Sequence, residues 1–312
     1  MTLLTFLQPI FAMYLTLQTM QGKIRFAPSP TGYLHEGHLL SALYVWAAAK
    51  KWNLKIHLRI EDHDQSRARP AYIAGIREDL AWLGFHYDSE SIQSARNVIY
   101  ENALQKLKAK SLVYPCFCSR KQLLAENPQS ETGEIVYQGK CLNQFGIRKS
   151  ELGIDSAPHN LRFIVPDKFI DWYDLRLGDF HENPKLQCGD FPIRDRDNQW
   201  TYQFAVCVDD IDENITHIVR GEDIRNSTVR QIALMEALGR TERPIYLHHP
   251  LIVDANNKKL SKRELAHSIR QDKEAGITPE MLFGRVCYKA HLTESERPLS
   301  LIDAISTVIS HI

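Results

Sequence analysis

Three groups of residues in this chain of 312 amino acids have types and spacings that could do chemistry. The first is His35-x-x-His38, set in the stretch RFAPSPTGYLHEGH at 25–38. Prolines and glycines at a strand-to-helix junction hold a loop in one shape and let its backbone approach a ligand closely. Histidines that open the helix stand where free backbone N–H groups and the helix dipole favour an anion. The pattern is that of a phosphate site. The second group is the basic run KKLSKR at 258–263. Lysines on a loop can fold over a triphosphate and neutralise the charge that develops as pyrophosphate leaves. The third is the cysteine cluster Cys116, Cys118 and Cys141. Three thiolates suit a sulfur-rich, four-coordinate zinc site, with ordinary free thiols as the competing reading because C-x-C is tighter than the usual C-x-x-C. Chemistry alone leaves the fourth ligand open among Tyr137, Glu131, Glu134 and water.

These groups need elements to position them. Ile24–Ala27 reads as a short strand and His38–Trp52 as an apolar-faced helix. Leu54–Ile60 alternates as a strand, Tyr72–Leu83 is amphipathic, and Tyr100–Lys110 is a further helix. Strand–helix–strand spacing argues for a βαβ unit with a parallel sheet. From 112 to 190 the character changes to cysteines, Pro, Gly and short β-like runs such as Leu161–Val165, as in an insertion. The α/β pattern then resumes. Tyr202–Asp209 and Ile215–Val219 read as strands, Ser227–Leu238 as a helix stopping at Gly239, and Ile245–Leu247 as a strand leading to the basic loop. The expected architecture is an α/β, Rossmann-type parallel sheet split by an inserted subdomain. Its divisions are 1–21 as an extension, 22–111 and 191–240 as the two half-sheets, 112–190 as the insertion, and 241–312 as a closing region with a terminal helix at Leu301–Ile309. A ligand belongs at the carboxyl ends of the strands.

Composition constrains less. Lys+Arg and Asp+Glu both number 38, so net charge points to no nucleic-acid partner, although a local basic surface suffices for phosphate. Residues 1–20 are apolar and uncharged, but Pro9, Gln8 and Gln18 interrupt them, and neither a membrane span nor a secretory signal is expected. Met20 is the expected true start. The scattered Cys188, Cys207 and Cys287 are expected as free thiols in a reducing, cytoplasmic setting.

In combination, HEGH at 35–38 and KLSKR at 259–263 resemble the paired signatures of the class I aminoacyl-tRNA synthetases. RFAPSPTGYLH, RIED at 59–62 and VRGED at 219–223 narrow the resemblance to the glutamyl branch; the glutaminyl branch opens on an arginine-free motif. It covers about residues 23–290. The short length is similar to that of the glutamyl-Q members, which attach glutamate to queuosine of tRNA(Asp) and carry no anticodon-binding domain. The resemblance implies a monomeric ATP-dependent ligase whose partners are ATP with Mg2+, L-glutamate and queuosine-containing tRNA(Asp). It assigns glutamate binding to Arg25, Phe26, Ala27, Pro28, Ser29, Glu61, Tyr202 and Arg220. It assigns ATP binding to His35, Gly37, His38, Lys259, Ser261 and Lys262, with His35, His38 and Lys262 catalytic. It favours Tyr137 beside Cys116, Cys118 and Cys141 around one structural Zn2+. The chemistry agrees, since Arg25 can pair bidentately with a carboxylate and Glu61 with an ammonium. Glu36 departs from the usual apolar residue of the signature. Competing readings are a shortened tRNA(Glu)-charging enzyme and a catalytically silent paralogue that binds amino acid or RNA.

Overall fold

Short runs that carry apolar residues pair as strands, and longer runs with an apolar face, such as the Ala- and Leu-rich Glu36–Trp52, close over the sheet as helices. In the computed structural model, which describes residues 21–130, 133–145, 158–252 and 267–312, ten strands are named. They are β1 (Lys23–Phe26), β2 (Lys55–Ile60), β3 (Ser89–Ile92), β4 (Val113–Cys116), β5 (Asn160–Phe163), β6 (Ile170–Asp174), β7 (Gly178–Glu182), β8 (Phe191–Arg194), β9 (His217–Gly221) and β10 (Ile245–His249). Seven build one sheet in the order β3-β2-β1-β9-β10-β6-β7, and β4-β5-β8 form a second, three-stranded sheet. Pairing in the large sheet is parallel from β3 across to β6, and only the β6–β7 hairpin is antiparallel. The strand order reverses at β1, between β2 and β9. Such a switch point opens a crevice at the strands' carboxyl ends.

The longer helices are α1 (Glu36–Trp52), α2 (Pro70–Trp82), α3 (Asn97–Ala109), α4 (Tyr202–Asp212), α5 (Thr228–Ala237), α6 (Pro279–Lys289) and α7 (Leu301–Ile309). Side chains alternate across the sheet into two cores. Val219 and Leu247 pack with α1, α6 and α7, whereas their neighbours Ile218 and Tyr246 pack with α3, α4 and α5. Helix α1 is buried at Leu39 and Leu40 and again from Ala42 to Ala49, and its Ala47–Ala49 run lets other elements approach closely. Each fully buried Leu or Ile contributes about 1.5–3 kcal/mol relative to exposure. Among the described residues, no helix is long and apolar enough to cross a membrane. The apolar run 1–20 lies outside the described residues.

Three expectations change. Tyr202–Asp209 is helical, not a strand: it forms most of α4, which is buried continuously from Phe204 to Asp210. A short apolar run buried on every side shows neither the period of a strand nor that of a helix, and its Val and Phe content misleads. The segment 112–190 is also more dispersed than an insertion suggests. It supplies β4 and β5 to the small sheet but β6 and β7 to the edge of the large one, while β8, beyond it, pairs with β5. Arg220, expected in a loop, lies inside β9 and pairs in register with His248 of β10.

Candidate active site

Beyond the carboxyl ends of β1, β2 and β9 lies a cavity of about 150 Å³, lined by Arg25, Phe26, Ala27, Pro28, His38, Glu61, Tyr202 and Arg220 among others. The backbone N–H of Glu61 donates to the Pro28 carbonyl at 3.1 Å, which ties the chain after β2 to the proline loop. Arg25 donates through Nε to Asp210 at 3.1 Å and through Nη1 to the Val219 carbonyl at 3.3 Å. Arg220 is held differently. Its Nε donates to His248 Nε2 at 3.0 Å, Nη1 to Gln231 at 2.6 Å and Nη2 to Thr228 at 2.8 Å, all neutral acceptors. His248 in turn reaches Asp174 at 2.7 Å through Nδ1. Arg220 therefore presents a rigid, buried guanidinium with no carboxylate in direct contact among the described residues. Burial pushes the Glu61 carboxyl up to about 7, against the pull of Arg59 and Arg25. Ser29 lies apart from the other assigned glutamate residues and lines the neighbouring cavity.

Beneath the floor runs an ionic network that motif reading missed. Arg59, fully buried, donates through Nη2 to Asp210 at 2.6 Å and through Nη2 and Nε to Glu213 at 2.6 and 2.9 Å. Arg96 joins from α3's start, pairing with Asp209 at 2.7 Å. His57 lies 3.2 Å from Glu213. The signal was present in part: RIED places an arginine within an apolar strand, and paired aspartates close the apolar run of α4. Neither shows its partner locally.

The signature HEGH is built as a helix start. His35 caps α1: its Nδ1 accepts from the Gly37 N–H at 3.1 Å, while His38 Nδ1 accepts from the His35 N–H at 3.2 Å. Each bond fixes the tautomer, so both Nε2 atoms carry the hydrogen and act as donors. Burial keeps both imidazoles neutral, with His38 lowered to about 3 and helped down by His35; His35 is lowered too, against Glu36. Gly37 leaves little room for a side chain, since a Cβ there would stand 3.0 Å from His35 Cε1 and the ring would have to give way. Glu36 points away from the site, to Lys289 at 2.6 Å and Arg285 at 3.4 Å on α6. A larger cavity of about 680 Å³, lined by Thr31, His35, His38, Arg67 and Arg270, adjoins the first one and shares His38 with it. Lys259, Ser261 and Lys262 lie outside the described residues. The chain re-enters beside the histidines: Ser268 bridges to His35, and Ile269 donates to the Leu34 carbonyl at 2.8 Å.

The cysteine cluster is assembled around the small sheet. The Sγ atoms of Cys116, Cys118 and Cys141 all lie within 4.8 Å of one another, and Cys118 and Cys141 stand 3.5 Å apart. Thiolates on a tetrahedral zinc at about 2.3 Å would be spaced about 3.8 Å apart, so the donor set fits. The Tyr137 hydroxyl sits at the remaining corner, 3.5 Å from Cys116 and 3.6 Å from Cys118, and accepts from the Cys141 N–H at 2.9 Å. Gly189 presses on Tyr137 with φ +61°, and a Cβ there would collide with the Tyr137 carbonyl. Of the other candidate ligands, Glu134 is paired with Arg230, and Glu131 lies outside the described residues.

A parallel sheet with its crevice at the switch point, and a histidine-capped helix beside two buried arginines, give the architecture of a class I synthetase catalytic domain. The chain belongs to the class I aminoacyl-tRNA synthetases, a ligase family: residues 22–307 match the family described as tRNA synthetases class I (E and Q), catalytic domain. It is 38% identical over 280 residues to the glutamyl-Q tRNA(Asp) synthetase of Neisseria meningitidis serogroup C (strain 053442), covering 89% of this chain and 92% of that one. It is 39% identical over 268 residues to the glutamate–tRNA ligase of Aquifex aeolicus, covering 85% of this chain and 56% of that one. A crystal structure of a glutamate tRNA ligase from Elizabethkingia meningosepticum, in complex with its amino acid, superposes with a TM-score of 0.76 at 28% identity. That match covers 92% of this chain and 64% of the solved one, so the chain spans just under two thirds of its structural relative.

Proposed function

We propose that this chain activates L-glutamate with ATP, without needing tRNA, and transfers the glutamyl group to a hydroxyl of queuosine in tRNA(Asp). The observation that carries the first half is the small cavity framed by two buried arginines with Glu61 beside them. Arg220 offers an unmatched charge to the side-chain carboxylate and Arg25 reinforces it, while Glu61 receives the α-ammonium group. The α-carboxylate is thereby turned toward His38, which the amino-acid and larger cavities share. A carboxylate oxygen attacks the α-phosphorus, the bond to the β-phosphate oxygen breaks, and pyrophosphate departs in line. The Nε2–H groups of His35 and His38 and the N-terminus of α1 stabilise the phosphate charge. Lys262 approaches from the basic loop, assisted by Lys259 and Ser261. It is six residues before Ser268, an extended reach of about 20 Å. Mg2+ accompanying ATP would supply further phosphate neutralisation. The acceptor hydroxyl then attacks the mixed anhydride and AMP leaves.

An acceptor route is available through a third cavity of about 560 Å³, lined by His63, Asp64, Asp195 and Trp200, which shares Tyr202 with the amino-acid pocket. Choice of queuosine as acceptor is supported by the relatives of that name, which this chain matches over nearly their whole length. Cys116, Cys118, Cys141 and Tyr137 would hold one structural Zn2+.

The test is transfer of radiolabelled glutamate to tRNA(Asp) with and without queuosine, with tRNA(Glu) alongside. Label only on queuosine-containing tRNA(Asp) is expected. Label on tRNA(Glu) would make the protein a charging enzyme, the reading that its likeness to glutamate–tRNA ligases favours. Label on neither, from folded protein, would make it a silent paralogue. Lys262→Ala is expected to abolish glutamate-dependent pyrophosphate exchange, and retained exchange would remove that lysine from the mechanism.

A further inference from the structure

The cysteine cluster has a neighbour whose charge no carboxylate among the described residues balances directly. Arg162, on β5, is buried at 5% exposure. Its guanidinium carbon lies 4.0 Å from the centre of the Tyr137 ring, and Tyr137 Oη lies against Cys116 and Cys118. Nη1 donates to the Asp190 backbone carbonyl at 2.6 Å, and Nε has no hydrogen-bond partner among the described residues. The nearest carboxylate is already taken. Asp190 accepts from Lys185 at 2.6 Å, Tyr114 at 2.8 Å and the Val165 N–H at 3.0 Å, and it makes no side-chain bond to Arg162. Two further cations near the cluster are exposed: Arg196 reaches the Cys118 backbone carbonyl, and Lys140, beside Cys141, pairs with Glu126 at 2.7 Å. A desolvated guanidinium without an anion is strongly unfavourable, so its counter-charge must lie close by.

We propose that Arg162 is the built-in counter-cation of the metal centre, neutralising the one negative charge left when three cysteine thiolates bind a divalent ion. This rests on the metal reading of the cluster, with Tyr137 contributing a neutral phenol. Arg162 touches the ring of Tyr137 and positions the ligand set through it. Outer groups that orient and charge-balance metal ligands are typically worth ten- to a hundred-fold in metal affinity.

The test measures zinc per chain in the purified full-length protein, and the rate at which a chromophoric chelator strips it, for the unsubstituted protein, Arg162→Met and Arg162→Lys. Melting curves and circular dichroism of zinc-loaded samples are recorded beside them. The expected result is one zinc per chain, at least tenfold faster release from Arg162→Met, and release within a few-fold of the parent from Arg162→Lys. A merely structural arginine would lose stability in both variants without separating them by charge. Zinc bound by the parent and released equally slowly from Arg162→Met would overturn the proposal and leave the metal reading standing. Fast release from a folded Arg162→Lys variant would also overturn it. A parent protein without zinc, even after incubation with the ion, would remove both. If Arg162→Met does not fold, Arg162→Gln replaces it in the same comparison.

Discussion

Arg25 and Arg220 reach one cavity in two different states of compensation. Asp210 already matches much of Arg25's charge, whereas Arg220 meets only His248, Gln231 and Thr228. On the proposed reading a glutamate carboxylate would satisfy Arg220, whereas a glutamine amide would leave a buried charge unpaired, a strong basis for rejection. Glu61 makes this site sensitive to pH. Burial raises its carboxyl to about 7, and in the proposed role only the ionised form would pair with the substrate ammonium. Glutamate affinity should therefore weaken as pH falls below about 7, approaching tenfold per unit. Glu61→Gln should bind weakly at every pH and show no such slope. The check is KM for glutamate in pyrophosphate exchange between about pH 6 and 8, and a parent KM that stays flat across that range would contradict this role. Arg25, Glu61 and Arg220 were legible as motif residues, but the difference between the arginines was not, because it resides in their partners.

At the level of elements, the start of α1 does two jobs. Its backbone N–H groups are partly satisfied by the His35 imidazole, and that same cap sets the direction of the catalytic donors. Gly37→Ala tests the coupling. The new Cβ would press on His35 at 3.0–3.1 Å, so the ring must shift by tenths of an ångström. Loss of the cap costs about 0.5–2 kcal/mol, and Ala in place of Gly within a helix returns about 0.5–1 kcal/mol, so stability should hardly change. Pyrophosphate exchange should nevertheless fall by about tenfold or more, since small misplacements of positioned groups are expensive in rate. An unchanged exchange rate would show that the cap does not orient the chemistry. Glu36, unusual within its signature, ties this helix start to α6 through Lys289 and Arg285. Arg285 also pairs with Asp272, which lies five residues beyond His267, where the chain returns from the basic loop. The start of α1 and Asp272 are therefore braced against the same helix, α6.

Across the whole molecule, the buried network under the pocket joins β2 and α3 to α4. Removing one partner from such a network leaves charges uncompensated. Arg59→Met should destabilise the fold by about 3–5 kcal/mol near neutral pH. Its acid dependence has a definite sign. Burial opposes ionisation of both carboxyls, but Arg25 and Arg59 outweigh it at Asp210, and His57 and Arg59 outweigh it at Glu213, leaving both below the ordinary range. Groups lowered in the folded state stabilise it above their unfolded pKa and lose that contribution as pH falls toward the folded value. The stability gap between parent and Arg59→Met should thus stand at its full width above the ordinary carboxylate range, about pH 4, and narrow as pH falls below it, as read by urea unfolding. A gap independent of pH would mean that the arginine contributes packing alone.

Local order in the chain was enough to determine most strands of the parallel sheet, the histidine-opened helix and the cysteine cluster. Period, turn residues and motif order are relations between near neighbours, so they are written where they act. What only the tertiary structure decided is how buried charge is balanced. Arg59 meets Asp210 and Glu213 across 151 and 154 residues of sequence, and no local pattern encodes a partner so distant. The same holds for α4, whose apolar run became a helix because it is enclosed on every side and capped below by that network. It holds too for Arg162, an ordinary arginine in a strand until the small sheet sets it over Tyr137. Burial turns each of these charges from a solvated surface group into one that must find its opposite, and only the folded chain specifies where that opposite lies.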